Sequence, residues 1–170
     1  MRLFVAIEFD EFKEDFESIQ KKILPLGKFN LPKHFHLTLK FMGACDESKL
    51  DEIRARLKEV TFEPFEVNLL GLGAFPSPDS VKVVWAGVDS HERIVDIQQQ
   101  IEKKMGSFFP PERMFHPHIT LARVKQIKNH KLFFEIIKKI RFDHKKQIKG
   151  FKLYKSVLTP DGPVYSPIDL

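Results

Sequence analysis

The stretch HFHLTLKFMG, His34 to Gly43, sets two histidines, a threonine and a lysine at alternate positions of an otherwise apolar run. Side chains of a strand alternate between its two faces. His36, Thr38 and Lys40 are therefore expected on one face, with Leu37, Leu39 and Phe41 on the other. The apolar set belongs to a core and the polar set to an opening. Eighty-two residues on, HPHITLARV, His116 to Val124, repeats the pattern, with His118 and Thr120 on one face and Ile119 and Leu121 behind them. Seven histidines and four threonines scattered over 170 positions would give about 0.16 such H-x-T pairs, so two inside apolar runs are not an accident of composition. A separation close to half the chain predicts two pseudo-equivalent lobes. Their strands would bring two imidazoles and two hydroxyls to one cleft.

Outward from these runs, the hydrophobic spacing gives the remaining elements. Leu3 to Ile7 reads as a buried strand. Phe12, Phe16, Ile19 and Ile23 mark a helix behind a candidate cap, Asp10. Leu50, Ile53, Leu57 and Val60 mark a second helix. Phe65 to Phe75 and Val81 to Val88 read as a hairpin turning at PSPDS. Ser90 is placed to cap a helix faced by Ile94, Ile97, Ile101 and Met105, and Leu132, Phe133, Ile136, Ile137 and Ile140 line another. Gln147 to Thr159 and Val164 to Ile168 read as a long strand pair turning at PDGP. The expected fold is α+β and bilobal, with mostly antiparallel sheets around a central cleft and helices outside. One domain, residues 1–170, would comprise both lobes.

A chain of 170 residues can bury a full core in one domain, and with 17 phenylalanines that core should be rich in phenylalanine. Cys45 is the only cysteine, which excludes an internal disulfide and a cysteine-based zinc site and fits a reducing cytoplasm. The opening MRLFVAIEFD is too short in its apolar part for a signal-peptide core. No apolar run approaches the ~18 residues of a membrane span, so no membrane partner is expected. A net charge of +5 favours a polyanionic partner without identifying one. Lys145, Lys146, Lys149, Lys152 and Lys155 form a basic run that reads first as a solvated face. Trp85 and Phe41 are candidates for stacking on a base, but core packing is the default for both.

Two imidazoles across a cleft suit displacement at phosphorus. One takes a proton from the attacking hydroxyl or water, and the other gives one to the departing oxygen. Ordinary pKa values near ~6.5 allow both roles near neutral pH. Threonine hydroxyls can donate to the nonbridging oxygens, where charge must be accommodated. Such chemistry requires no cofactor and no metal, and ribose with neighbouring hydroxyls, or a cyclic phosphate between them, is its natural target.

The duplicated motifs HLTLKFMG and HITLAR, the opening RLFVAIEF, the segment GLGAFPSPDSVKVVWAGV and the close LYKSVLTPDGPVYSPIDL together resemble the two-histidine phosphoesterase superfamily. Within it, the chain is similar along its whole length to the RNA 2',3'-cyclic phosphodiesterases, also named 2'-5' RNA ligases. The resemblance implies hydrolysis of an RNA 2',3'-cyclic phosphate to a 2'-phosphomonoester. It implies His36 as proton donor to the leaving 3' oxygen, His118 as proton acceptor from water, and Thr38 and Thr120 as phosphate ligands. Arg123 matches a further phosphate contact, although strict alternation turns position 123 away from His118. A monomer acting on RNA ends, tRNA fragments among them, is the expectation, with reversible ATP-independent ligation when a ribose 5' hydroxyl instead of water opens the cyclic phosphate.

Two other readings compete. His34 and His116 make each motif H-x-H, a pattern that can chelate a metal in a metal-dependent phosphohydrolase. Alternatively, the histidines serve only as phosphate donors in a noncatalytic RNA-binding module.

Overall fold

The computed structural model describes residues 1–77, 80–160 and 162–170. Strands β3 (His36–Ala44) and β6 (Ile119–Ile127) lie side by side near the middle of a nine-stranded sheet, meeting where Leu37 faces Ile119. Outward from β3 come β1 (Arg2–Glu8), β8 (Lys152–Thr159) and β9 (Gly162–Ile168). Outward from β6 come β5 (Ser80–Val88), β4 (Phe65–Ser77) and β7 (Lys145–Ile148), and a short β2 (Gly27–Asn30) also pairs with β6. Every pairing is antiparallel. With four α-helices among the described residues, α1 (Lys13–Ile23), α2 (Leu50–Lys58), α3 (His91–Met105) and α4 (His130–Ile137), the fold is α+β as expected.

Neither half of the chain closes its own side of this sheet. β4 follows α2 yet pairs with β5, and β8 follows α4 yet pairs with β1. The expected long strand from Gln147 to Thr159 is in fact two strands. It breaks at Lys149–Phe151, with β7 joining β4 at one end of the sheet and β8 joining β1 on the other side. Of the expected hairpin turn, Pro78 and Asp79 lie outside the described residues, as does Asp161 in the PDGP turn.

The helices cover one face of the sheet. Phe16 and Ile19 of α1, Ile53 and Leu57 of α2, and Ile94, Ile97 and Ile101 of α3 pack against Leu3, Val5, Ile7, Leu37 and Ile119. Phe133 and Ile137 of α4 pack with Ile23, Val84 and Ala122. Each such side chain contributes about 1.5–3 kcal/mol when fully buried. Leu37 and Ile119 are both 0% exposed, which pins the central register, because a slip of one residue would drive both histidines into the core.

Two expected helix caps take other roles. Asp10 does not cap α1: its carboxylate accepts from the Phe35 amide at 2.6 Å and contacts His34 Nδ1 at 2.9 Å. Ser90 precedes α3, but its hydroxyl makes no cap bond and reaches the Glu66 carbonyl instead.

Candidate active site

With Leu37 opposite Ile119, the antiparallel register sets His36 across from Thr120 and Thr38 across from His118. All four occupy the face opposite the buried pair. Diagonal neighbours in such a ladder have Cα atoms about 7–8 Å apart. The two imidazoles therefore stand diagonally across the strand junction, with a hydroxyl beside each.

Both motifs contain a β-bulge at the same place. In β3, Val5 pairs with Lys40 and Ala6 with Thr38, leaving Leu39 unpaired. In β6, Val84 pairs with Ala122 and Trp85 with Thr120, leaving Leu121 unpaired. A bulge puts two successive side chains on one side of the sheet. Leu39 and Lys40, and likewise Leu121 and Ala122, are accordingly all buried. The next residue of each motif, Phe41 or Arg123, then comes round to the histidine face.

Three expectations from strict alternation are thereby reversed. Lys40 is in the core, its ammonium bonded to Glu102 of α3 at 2.8 Å and to the Pro110 carbonyl at 3.1 Å. Phe41 is 50% exposed rather than packed inward, with the Arg2 guanidinium over its ring. Arg123 faces the histidines rather than away from them. Its charge acts on His36, His118 and Tyr165. Among the described residues Arg123 has no hydrogen-bonding or ion-pair partner, which leaves the five donors of a guanidinium open.

The two imidazoles have different surroundings. The His36 ring packs against Phe4 at 5.1 Å and edge-on to Tyr165 at 5.3 Å, beside a pocket of about 160 Å³ that also touches Glu8, Asp10 and His34. Burial lowers its pKa from 6.5 to about 4, opposed by the Asp10 carboxylate and reinforced by the charges of His34, Arg123 and His118. His118 Nδ1 lies 2.7 Å from the carbonyl oxygen of His116. A carbonyl only accepts, so Nδ1 carries the hydrogen and Nε2 keeps a lone pair. Burial lowers the His118 pKa, while the bond to that carbonyl raises it.

Trp85 and Tyr165 complete the walls, and sequence periodicity singled out neither as a neighbour of the histidines. Trp85 is half-buried beside Phe75, His116 and His118, over Gly73, where an added Cβ would come within 2.2 Å of the indole. Its Nε1 is buried without a partner among the described residues. Tyr165 arrives from β9, the strand at the sheet edge.

His34 is engaged by Asp10, and the exposed His116 ring packs on Trp85 and His91. Among the described residues no group of three or more His, Cys, Asp or Glu is placed to hold a metal ion. A larger cavity of about 500 Å³, between Asp46, Lys49, Glu52, Arg56 and Phe108, contains neither motif histidine. Three lysines of the basic run are ion-paired, Lys145 with Glu66, Lys146 with Glu11 and Lys152 with Glu8. No helix among the described residues is long and apolar enough to cross a membrane.

Residues 9–155 match the family model of the 2'-5' RNA ligase superfamily. The chain is 36% identical over 174 residues to the RNA 2',3'-cyclic phosphodiesterase of Archaeoglobus fulgidus, covering 99% of this chain and 98% of that one. It is also 36% identical over 173 residues to the protein of the same name from Methanocaldococcus jannaschii, again covering 99% and 98%. The crystal structure of TT0787 from Thermus thermophilus superimposes with a TM-score of 0.83 at 28% identity, covering 99% of this chain and 96% of that one. Escherichia coli LigT shares the fold, with a TM-score of 0.78 at 23% identity over 99% and 94% of the two chains. By the family model and by similarity along its whole length, this chain belongs to the 2'-5' RNA ligase superfamily.

Proposed function

We propose that the chain is an RNA 2',3'-cyclic phosphodiesterase that opens a terminal cyclic phosphate to a 2'-phosphomonoester. The observation that carries this reading is the register at Leu37 and Ile119, which sets two His/Thr pairs diagonally on one open face. Water attacks phosphorus in line with the 3' oxygen and yields its proton to Nε2 of His118. The P–O3' bond breaks, and His36 delivers a proton to the departing oxygen, leaving a 3' hydroxyl and a 2' phosphate. Thr38, Thr120 and Arg123 hold the nonbridging oxygens; charge-assisted bonds from a guanidinium are the strongest of these.

The differing environments support this division of labour. The His116 carbonyl holds His118 in the tautomer a base needs and stabilises the imidazolium that forms. His36, with a pKa of about 4 in the free protein, is neutral at pH 7 and must gain a proton to act as acid. A bound phosphodiester places a negative charge beside it, which favours the charged form and raises the pKa. Asp10 acts in the same direction. Substrate and proton therefore bind together.

With a ribose 5' hydroxyl in place of water, the same transfers form a 2'-5' linkage and need no ATP. The central place of the two motif strands, with three further strands outward of each, supports a single domain of two pseudo-repeated lobes. Free Cys45 fits a reducing cytoplasm, where RNA ends such as tRNA fragments would be met, and a monomer suffices because both histidines come from one chain.

The test is to incubate the protein with a short RNA ending in a 2',3'-cyclic phosphate, with EDTA present. The expected product is the 2'-monoester at an undiminished rate. A 3'-monoester, or activity lost to EDTA and restored by zinc or manganese, would contradict the mechanism.

A further inference from the structure

Beyond Arg123, β6 continues as a strand paired with β2, and its histidine-side face continues with it. Phe29 pairs with Val124, and both pack in the cluster around Phe133 on the helix side. Asn30, which pairs with Arg123, and Lys28 and Lys125 consequently face the other way, onto the side that carries His118 and Thr120. Asn30, Lys28, Arg123 and Lys125 are all exposed. From His118 to Lys125 the strand runs about 20 Å.

The charges on this face differ from those of three lysines in the C-terminal basic run. Lys145, Lys146 and Lys152 are each held by a glutamate. Lys28, Arg123 and Lys125 have no carboxylate within 4 Å among the described residues, so their full charge faces solvent. Across the site, the pocket beside His36 carries Glu8 and Asp10. Glu8 is itself paired with Lys152, so the unpaired cations of β6 and β2 are what draw a polyanion leaving the phosphate site. Single aromatic platforms around the histidines suit one terminal nucleotide; a row of free cations suits a backbone with repeated phosphates.

We infer that this face of β6 and β2 is a track for the phosphodiester backbone of the RNA that leads to the cyclic end, with Lys28 and Lys125 meeting phosphates upstream of it. The inference rests on the cyclic phosphodiesterase reading of the site and adds that the substrate is an oligonucleotide held by its chain. Lysine contacts to phosphate carry no sequence information. The track therefore selects for length and not for base identity.

The experiment compares a ribonucleoside 2',3'-cyclic monophosphate with a short RNA of the same terminal nucleotide, over a range of salt. Wild-type kcat/KM should be higher for the RNA and should fall with salt for the RNA more steeply than for the mononucleotide. The double variant Lys28→Ala with Lys125→Ala should lose roughly three- to tenfold in kcat/KM on the RNA at low salt, and its log–log salt slope should be shallower by about 1.4, at ~0.7 per phosphate contact on a single strand. Its mononucleotide kcat/KM should be unchanged, which also reports an intact fold. Lys28→Arg with Lys125→Arg should retain the RNA rate. Equal loss on both substrates, or no wild-type preference for the RNA, would overturn the track while leaving the cyclic phosphodiesterase reading intact. Turnover of neither substrate by the wild type would overturn that reading and the track with it.

Discussion

Replacing His118 by alanine is expected to lower kcat for a 2',3'-cyclic nucleotide by about 10²–10⁴-fold, the usual value of a positioned general base. His36→Ala should cost a similar factor through loss of the acid. The two losses should not multiply, because residues that act as a unit in one proton-transfer chain are non-additive, and the double variant should fall little below the worse single one. Both rings stand on the open face of the sheet, while the buried Leu37 and Ile119 that hold the strands together are untouched. The fold should therefore survive, as circular dichroism would verify. Thr38→Ala should cost less than either, since one phosphate donor is removed and no proton step is lost. Parental rates in the double variant would show that the chemistry lies elsewhere.

Arg123→Ala is expected to cost on the order of 10² in kcat/KM, as for removal of one preorganised donor to a developing oxyanion. Arg123→Lys should recover only part, because an ammonium lacks the planar fork that grips two oxygens. A second effect has a definite sign. Arg123 is one of the positive charges that depress the His36 pKa. Its removal should raise the His36 pKa in the free protein, even as the rate falls. A variant with parental kcat/KM and an unmoved His36 titration would place the guanidinium outside the site, despite the bulge at Leu121.

The bulges mark where sequence reading stopped. Period-two alternation identified His36, Thr38, His118 and Thr120 as one face and Leu37, Leu39, Ile119 and Leu121 as another, because the pattern is local and the burial of the apolar set enforces it. Beyond Leu39 and Leu121 the pattern failed, since an unpaired residue in the ladder is set by the neighbouring strand and leaves no periodic trace. For this one reason alternation misplaces Lys40 and Phe41, and turns Arg123 away from the face that the family resemblance assigns it. Leu39–Lys40 and Leu121–Ala122 offered no glycine to signal a bulge.

Other misses have different causes. β2 is four residues long, too short to show a period. The split of the C-terminal segment into β7 and β8 depends on which sheet edges were left open by β4 and β1, a property of the whole chain. Asp10 fits a cap by its position before α1; the competing donor, the Phe35 amide, is 25 residues away. Trp85 and Tyr165 came to the histidines through pairing, Trp85 opposite Thr120 and Tyr165 opposite Ser156, which single-strand periodicity does not contain.

The central claim is that His36 and His118 bracket one phosphoryl group. It is tested most directly by following the histidine ring nitrogens by NMR while a nucleoside 2'-monophosphate is added at several pH values. In the free protein His36 should titrate near pH 4, with His118 also below the ordinary range. On binding, both rings should shift with one common dissociation constant, and both pKa values should rise. A ligand that moved only one of the two rings, or two rings responding with separate dissociation constants, would contradict it.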